Sequence, residues 1–393
     1  MPRSTNSQRE MVDGLPLFDH HCHGVIEYDL SAAEFESLIS ESSRPAAPGT
    51  TRFDSQIGVQ VLSQCAPVLG AERFCSPTAY LDARAALGAD EVDRRLLKAA
   101  RLTTLGVDTG HAAGLITGPE RLGELAGATA HEVVRLESLA EGVAHTMRAE
   151  ENPLPPSRDN AALFLQKLED PLDMRLARAI GVKSIAAYRY GLDFLAARPA
   201  TDEVIAAAVE FLSQPATMRL DDPVLIRHLL WLAIDRKQVI QLHIGYGDDD
   251  VDLHRCNPLL LTELLRTTRD TGARFALLHC YPFVREAGYL ADVYEHVYFD
   301  VGLAINYTGS HSPRVIAESL ELAPFGKILF STDAFGLPEL YFVGAQLFRR
   351  GLAEVLDYYQ REWGWPDHYC RKVAELMCYD NAARLYGVDD RKN

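Results

Sequence analysis

The chain has 393 residues, 47% of them hydrophobic, which is enough apolar material to bury a large core. Its formal net charge of −16 argues against nucleic acid or an anionic membrane surface as a partner, and suits a soluble enzyme. No apolar run approaches the roughly 20 residues that span a bilayer, so we expect no membrane contact.

The amino terminus is polar and lacks the apolar stretch of a secretory signal. We therefore predict a disordered tail over residues 1–11. The seven cysteines are scattered and include no C-x-x-C pair, a pattern typical of reduced thiols rather than of a disulfide framework. Together these features predict a cytoplasmic protein.

Eight short apolar runs, most of them rich in β-branched residues, follow one another along the chain and predict strands. In chain order they are Leu15–His20, Arg101–Asp108, His131–Glu137, Val182–Tyr188, Val239–Ile244, Arg274–Cys280, His296–Val301 and Lys327–Asp333.

Amphipathic helical stretches separate the later runs, for example at residues 222–237 and 258–271. Eight alternations of strand and helix favour a closed (β/α)8 barrel of the TIM type over an open sheet, so the predicted fold class is α/β. We expect a single barrel domain over residues 12–386. It carries a helical insert at about 25–100, after the first strand, that caps the active-site mouth, and a helical extension at its carboxyl end.

The first strand ends in an H-x-H pair, His21 and His23. Strand alternation predicts that Asp19, His21 and His23 share one face, while His20 and Cys22 share the other. With 13 histidines in the chain, such a spacing is close to a chance event and needs support from its context.

That support comes from the carboxyl ends of later strands, where barrel active sites lie. His243 lies near the end of the fifth predicted strand, His279 near the end of the sixth, and Asp333 ends the eighth. Imidazole and carboxylate donors suit a divalent ion, first of all zinc, with Mn²⁺ or Fe²⁺ as alternatives. We therefore predict a catalytic site with one or two ions, in which Asp333 acts as general base and His279 polarises the substrate or acts as an acid.

The order of H-x-H, Lys, His, His and Asp on strands one, four, five, six and eight resembles the amidohydrolase superfamily. The segments 181–189, 134–137 and 331–334 look like its amidohydrolase-2 group, which includes nodulin/FluG-like proteins. The resemblance covers residues 12 to 386. Relatives of this type often carry a glutamine-synthetase-like domain behind the barrel, which we expect to be absent from this chain of 393 residues.

The resemblance implies that His21, His23, His243 and Asp333 are metal ligands and that His279 is either a ligand or a carbonyl-polarising group. It leaves two roles for Lys183. The lysine is either carbamylated and bridges two ions, or it is a buried side chain paired with Glu137. Its early position in the predicted fourth strand favours the second role.

The expected reaction is hydrolysis of a C–N amide bond in a small molecule, with an amino-acid amide such as a γ-glutamyl compound as the leading substrate class. Arg189 is a candidate to bind a substrate carboxylate, and Glu137 and Tyr246 are further candidate substrate-binding residues. The alternatives are a metal-dependent decarboxylase of an unsaturated or aromatic acid, and a barrel that binds a metabolite without turnover. We also expect a homo-oligomer.

Overall fold

The structure, a computed structural model, describes residues 7–149, 155–215 and 219–392. Over these residues seven parallel strands form one sheet in which each strand pairs with the next along the chain. Their bounds are β1 Phe18–Cys22, β2 Thr104–Asp108, β3 Thr129–Arg135, β4 Gly181–Ser184, β5 Val239–His243, β6 Arg274–Leu278 and β7 Val297–Phe299.

The eighth predicted strand, Lys327–Asp333, closes the barrel without forming a regular ladder. On one side Leu329 N donates to Phe299 O over 2.8 Å, and on the other His20 N donates to Phe330 O over 3.1 Å. Near its end the backbone N–H of Thr332 donates to the Asp19 side chain of β1 instead of to a backbone carbonyl. The prediction of a TIM-type barrel with eight strand positions is confirmed.

Helices surround the sheet. Their bounds are α1 Ser7–Asp13, α2 Ala32–Leu38, α3 Gln56–Gln60, α4 Ala66–Val68, α5 Pro77–Leu87, α6 Ala89–Ala100, α7 Pro119–Ala126, α8 Leu136–Ala149, α9 Arg158–Leu176, α10 Ala186–Arg189, α11 Thr201–Ser213, α12 Pro223–Asp235, α13 Thr262–Thr268, α14 Val284–Val293, α15 Gly302–Thr308, α16 Ser312–Ser319, α17 Pro338–Trp363, α18 Asp367–Glu375 and α19 Asn381–Tyr386. Among the described residues, none of these helices is both long and apolar enough to cross a membrane.

Local sequence explains where several helices begin. Ser31 caps α2 through a reciprocal capping box with Glu34, and Asp222 accepts hydrogen bonds from the first backbone N–H groups of α12. Proline at the first helical position, as at Pro223, has its φ already set for the helix and no N–H to leave unpaired.

The predicted alternation of faces in β1 holds for His21 and His23, whose ligand atoms meet, but is wrong for Asp19 and His20, because the strand contains an irregularity. Asp19 pairs with Leu105 and Cys22 with Val107, so three steps along β1 match two along β2. The extra residue shifts the parity of the side chains. His20 and His21 both turn toward polar partners in the barrel interior, whereas Asp19 accepts hydrogen bonds from Thr332 of the eighth segment.

The predicted disordered tail over residues 1–11 is also wrong for residues 7–11, which belong to α1. Val12 is fully buried, and the Gln8 side chain donates to Gln360 on α17. Packing against a long neighbouring helix offsets the entropy cost of ordering a short terminal one. Residues 1–6 lie outside the described part of the chain.

The carboxyl-terminal helices close the amino-terminal end of the barrel. A buried cluster joins residues of β1, β5, β6 and the eighth segment to residues near the chain end; its members are Phe18, Val239, Ala276, Leu329, Tyr379, Ala382, Ala383, Leu385 and Tyr386. We call this cluster the barrel floor. The site described next lies at the opposite, carboxyl end of the strands.

Candidate active site

A cavity of about 520 Å³ opens at the carboxyl ends of the strands. Side chains at strand ends form its base, among them His23, Lys183, His243 and Asp333. Residues 37, 38 and 40–43 of the insert after β1 form part of its wall. The insert therefore takes part in shaping the mouth of the barrel, the place where loop residues build active sites in this fold.

Three predicted ligands converge at the base of this cavity. Ligand atoms of His21, His23 and Asp333 all lie within 4.8 Å of one another. Asp333 Oδ1 is 3.0 Å from His21 Nε2 and 3.5 Å from His23 Nε2. Asp333 holds a φ of 50°, in the left-handed region that non-glycine residues rarely adopt. Such strain is typical of functional sites.

The histidine tautomers explain why this arrangement suits a cation. The His23 Nδ1 atom is 3.3 Å from Asp108 O, and a carbonyl can only accept, so Nδ1 carries the proton and Nε2 presents a lone pair. Burial lowers the pKa of His21 to about 3, so this ring is neutral and has a single proton to place. The lone pair of His23 Nε2, which faces Asp333 Oδ1 across 3.5 Å, is repelled by that oxygen unless a positive charge lies between them.

His279 and His243 adjoin this group. His279 Nε2 is 3.3 Å from Asp333 Oδ2, and the His243 ring centroid is 4.9 Å from that of His279. His243 Nε2, His279 Nε2 and Asp333 Oδ1 are buried without a hydrogen-bond partner among the described residues. Burying unpaired polar atoms is costly, so this set of nitrogen and oxygen donors fits a divalent ion.

Lys183 lies nearer the site than its sequence position suggested. The predicted strand ran to Tyr188, but β4 ends at Ser184 and Ala186–Arg189 form a short helix. Lys183 is therefore one residue from the carboxyl end of its strand, and its Nζ is 2.9 Å from His21 Nε2. The predicted pairing with Glu137 is wrong, because Glu137 Oε1 instead accepts from Ser184 Oγ and Ile185 N.

The three candidate substrate-binding residues have different positions. Arg189 lines the cavity, where its Nη2 is 3.1 Å from Glu141 Oε1. Tyr246 does not line the cavity. Its ring centroid lies 5.7 Å from that of Tyr307, which does. Glu137 is fully enclosed at the start of α8, where its carboxylate supports the β4–α10 turn rather than a ligand.

Sequence reasoning missed three charged residues at strand ends. Asp108 ends β2 and accepts from Arg135, the last residue of β3, at 2.5 and 3.0 Å. Asp300 follows β7 and accepts from the backbone N–H of His279 over 3.0 Å. Burial alone would raise the pKa of Asp108, but the Arg135 charge holds it well below its usual range. The strand-end rule that selected His243 would also have found these residues.

Two further residues of the cavity carry no recognisable local signal. His111 lies in the loop after β2, with its ring 5.6 Å from His23 and 4.7 Å from Phe335. Glu41 reaches the cavity from the insert, and its carboxylate is hydrogen-bonded to Tyr307. Burial and the charge of Asp333 raise the pKa of Glu41 to about 7.

A family model described as amidohydrolase matches residues 175–388, more than half of the chain. Among curated proteins, the chain is 28% identical to protein fluG of Emericella nidulans, an alignment that covers 98% of this chain. It spans only 47% of the length of that relative.

Among solved structures, a putative metal-dependent hydrolase of Lactobacillus casei superposes with a TM-score of 0.82 and is 28% identical, over 96% of this chain and 97% of the other. Uronate isomerases of Bacillus halodurans and Thermotoga maritima give TM-scores of 0.65 and 0.64 at 14% and 13% identity. The alignments cover 98% of this chain and 96% and 98% of the respective isomerases. At that identity the isomerases share the fold alone with this chain.

Proposed function

The chain belongs to the amidohydrolase family, and from that premise we propose that it hydrolyses a C–N amide bond in a small molecule. One observation carries the proposal: His21, His23 and Asp333 bring three metal-binding atoms within 4.8 Å at the base of a cavity lined by charged side chains. Two imidazoles and one carboxylate resemble the donor sets of catalytic zinc sites, which supports the proposal.

We propose that His21, His23 and Asp333 hold the ion. His243, His279 and Lys183 lie next to these ligands and supply further nitrogen atoms around it. A divalent ion held by such donors brings the pKa of a water molecule toward neutrality and polarises a carbonyl oxygen. Zinc fits best because imidazole nitrogen predominates among the donors, whereas sites made chiefly of oxygen favour magnesium or calcium.

Asp333 is placed to move the proton. Burial alone would raise the pKa of its carboxyl group, yet that pKa lies well below its usual range, and a cation held among Asp333 and the histidines would keep it there. The group is therefore an ionised carboxylate at neutral pH. In the proposed reaction Asp333 accepts a proton from the attacking water and delivers it to the departing amine nitrogen. His279, whose Nε2 is 3.3 Å from Asp333 Oδ2, polarises the carbonyl group of the substrate in this proposal.

The charges around the cavity support an amino-acid amide as substrate. Arg135 and Arg189 supply guanidinium groups that suit a carboxylate. Glu41 and Asp248 supply carboxylates that suit an ammonium group. A small molecule that carries both charges, such as a γ-glutamyl amide, matches this mixed lining better than a purely apolar or purely anionic compound does.

The test combines metal analysis with a substrate screen. We expect stoichiometric zinc in the purified protein and turnover of at least one member of a panel of γ-glutamyl amides and dipeptides. In water labelled with ¹⁸O, the new carboxylate must carry one labelled oxygen. Release of carbon dioxide from aromatic or unsaturated acids, without incorporation of label, would establish a decarboxylase instead.

A further inference from the structure

Gln241 connects the metal-side histidine His21 to the barrel floor. It lies on β5, two residues before His243, and its side chain is fully buried. Its Oε1 is 2.8 Å from His21 Nδ1. Its Nε2 donates to His20 O and to the Tyr386 hydroxyl, both over 2.8 Å.

These contacts determine which way the Gln241 amide faces. His20 O is a carbonyl and can only accept, so the amide nitrogen must point toward it. The amide oxygen then points toward His21, where it can only accept. His21 must therefore carry its proton on Nδ1, which leaves the Nε2 lone pair on the side of Asp333. A flipped amide would face the His20 carbonyl with a second oxygen.

Tyr386 supports this orientation from outside the strands. It ends α19, whose residues form the barrel floor. Its oxygen accepts from Gln241, and it lies 2.8 Å from His20 Nδ1, to which its proton is donated. His20 Nε2 then donates to Asp300 Oδ2 over 3.0 Å. This hydrogen-bond chain runs from His21 through Gln241, Tyr386 and His20 to Asp300. Each N–H or O–H in it has one acceptor, so no member can reverse without leaving a buried group unpaired.

We propose that Gln241 and Tyr386 are positioning residues that hold His21 in the Nδ1–H tautomer and so present its Nε2 to the metal. Helix α19, which carries Tyr386, would then support the metal site in addition to closing the barrel floor. This inference rests on the metal site of the proposed function. Partners of this kind orient metal-binding imidazoles and raise their basicity.

Metal affinity tests the inference without any assay of turnover. Metal-free protein is titrated with Zn²⁺ against a chromophoric chelator. We expect Tyr386→Phe to weaken the affinity roughly 10-fold and Gln241→Met to weaken it by up to about 100-fold. Tyr379→Phe is the matched control, since Tyr379 is another floor tyrosine that packs on Phe18, yet its hydroxyl contacts Thr104 rather than Gln241. Its affinity should equal that of the wild type.

The tautomer gives a second measurement that a purely structural role would not change. In ¹⁵N-labelled metal-free protein, long-range ¹H–¹⁵N correlations of the His21 ring should show protonated Nδ1 in the wild type and in Tyr379→Phe. Gln241→Met should show a mixture or the opposite tautomer. Equal zinc affinity in Tyr386→Phe and wild type, or an unchanged tautomer in Gln241→Met, overturns the inference. A wild type that shows the expected tautomer but binds no zinc overturns the proposed metal site instead.

Discussion

Lys183 Nζ lies 2.9 Å from His21 Nε2, which places a lysine of β4 against a metal-side histidine of β1. Burial lowers the pKa of the Lys183 ammonium group. Its neutral amine is the form that adds carbon dioxide, releasing a proton and creating a carbamate. A carbamate on Lys183 would place a carboxylate group beside His21. That carboxylate could bind a second ion next to the one held by His21, His23 and Asp333.

We therefore predict that Lys183 determines the number of ions. Wild-type protein reconstituted with zinc and bicarbonate should hold a second ion besides the one at His21, His23 and Asp333, two per chain in all. Lys183→Met should hold only the first, because the bridging carboxylate cannot form. Elemental analysis of the dialysed proteins measures this. Lys98→Met, a change at an exposed position on α6, should keep both ions. Equal stoichiometry in Lys183→Met and wild type would show that the lysine does not bridge.

Replacing Asp333 by asparagine should abolish most of the activity while the fold persists. The amide retains the shape of the carboxylate but cannot accept the proton, so turnover should fall at least about 100-fold. Circular dichroism checks the fold and kcat checks the loss. Asp249→Asn, at an exposed position bonded to Ser43, should keep normal turnover. Near-normal kcat in Asp333→Asn would remove this residue as the base.

Removing the His21 imidazole should reduce bound metal. His21→Ala takes away one of the three clustered donor atoms, and we expect roughly 10-fold or greater loss of zinc affinity. Zinc content after dialysis against a weak chelator is the measurement. His254→Ala is the control because that side chain is 80% exposed and is not among the residues that line the cavity. Undiminished metal in His21→Ala would refute the site.

Asp93 gives a prediction about stability that is separate from catalysis. The side chain is fully buried on α6, and both its oxygens lack a hydrogen-bond partner among the described residues. Burial and the Glu339 carboxylate raise its pKa from 3.8 to about 7, against the opposing charge of Arg84. The folded protein therefore keeps a proton that the unfolded chain releases, and this group's contribution to stability is lost as the pH rises from about 4 to about 7.

Asp93→Asn removes this penalty. We expect the variant to be more stable than the wild type at pH 8 by roughly 1–3 kcal/mol, and nearly equal to it at pH 4. Urea unfolding at the two pH values measures the difference. Asp90→Asn, on the same helix, replaces an exposed carboxylate paired with Arg94, so it should bring no gain at pH 8. A pH-independent difference for Asp93→Asn would contradict the assigned titration.

Prediction from the sequence succeeded where a single rule of the fold applies. The carboxyl ends of parallel strands meet at one end of a barrel, so His21, His243 and Asp333 were expected to converge although they are far apart in the chain. The rule failed for details within a strand. One extra residue in β1 brings His20 to the same side as His21, and the early end of β4 brings Lys183 to the site. Neither change leaves a mark in the hydrophobic pattern.

The sequence by itself therefore predicted the barrel, its family and most of the side chains that meet at its mouth. It could do so because the position of each strand and the residue at its carboxyl end can be recognised from a short stretch of the chain. Only the tertiary structure decided how those side chains are held. Gln241 and Tyr386 are 145 residues apart and join beneath His21, and Glu41 enters the cavity from a distant insert. Such contacts depend on how separate elements pack, and no periodicity within either element encodes them.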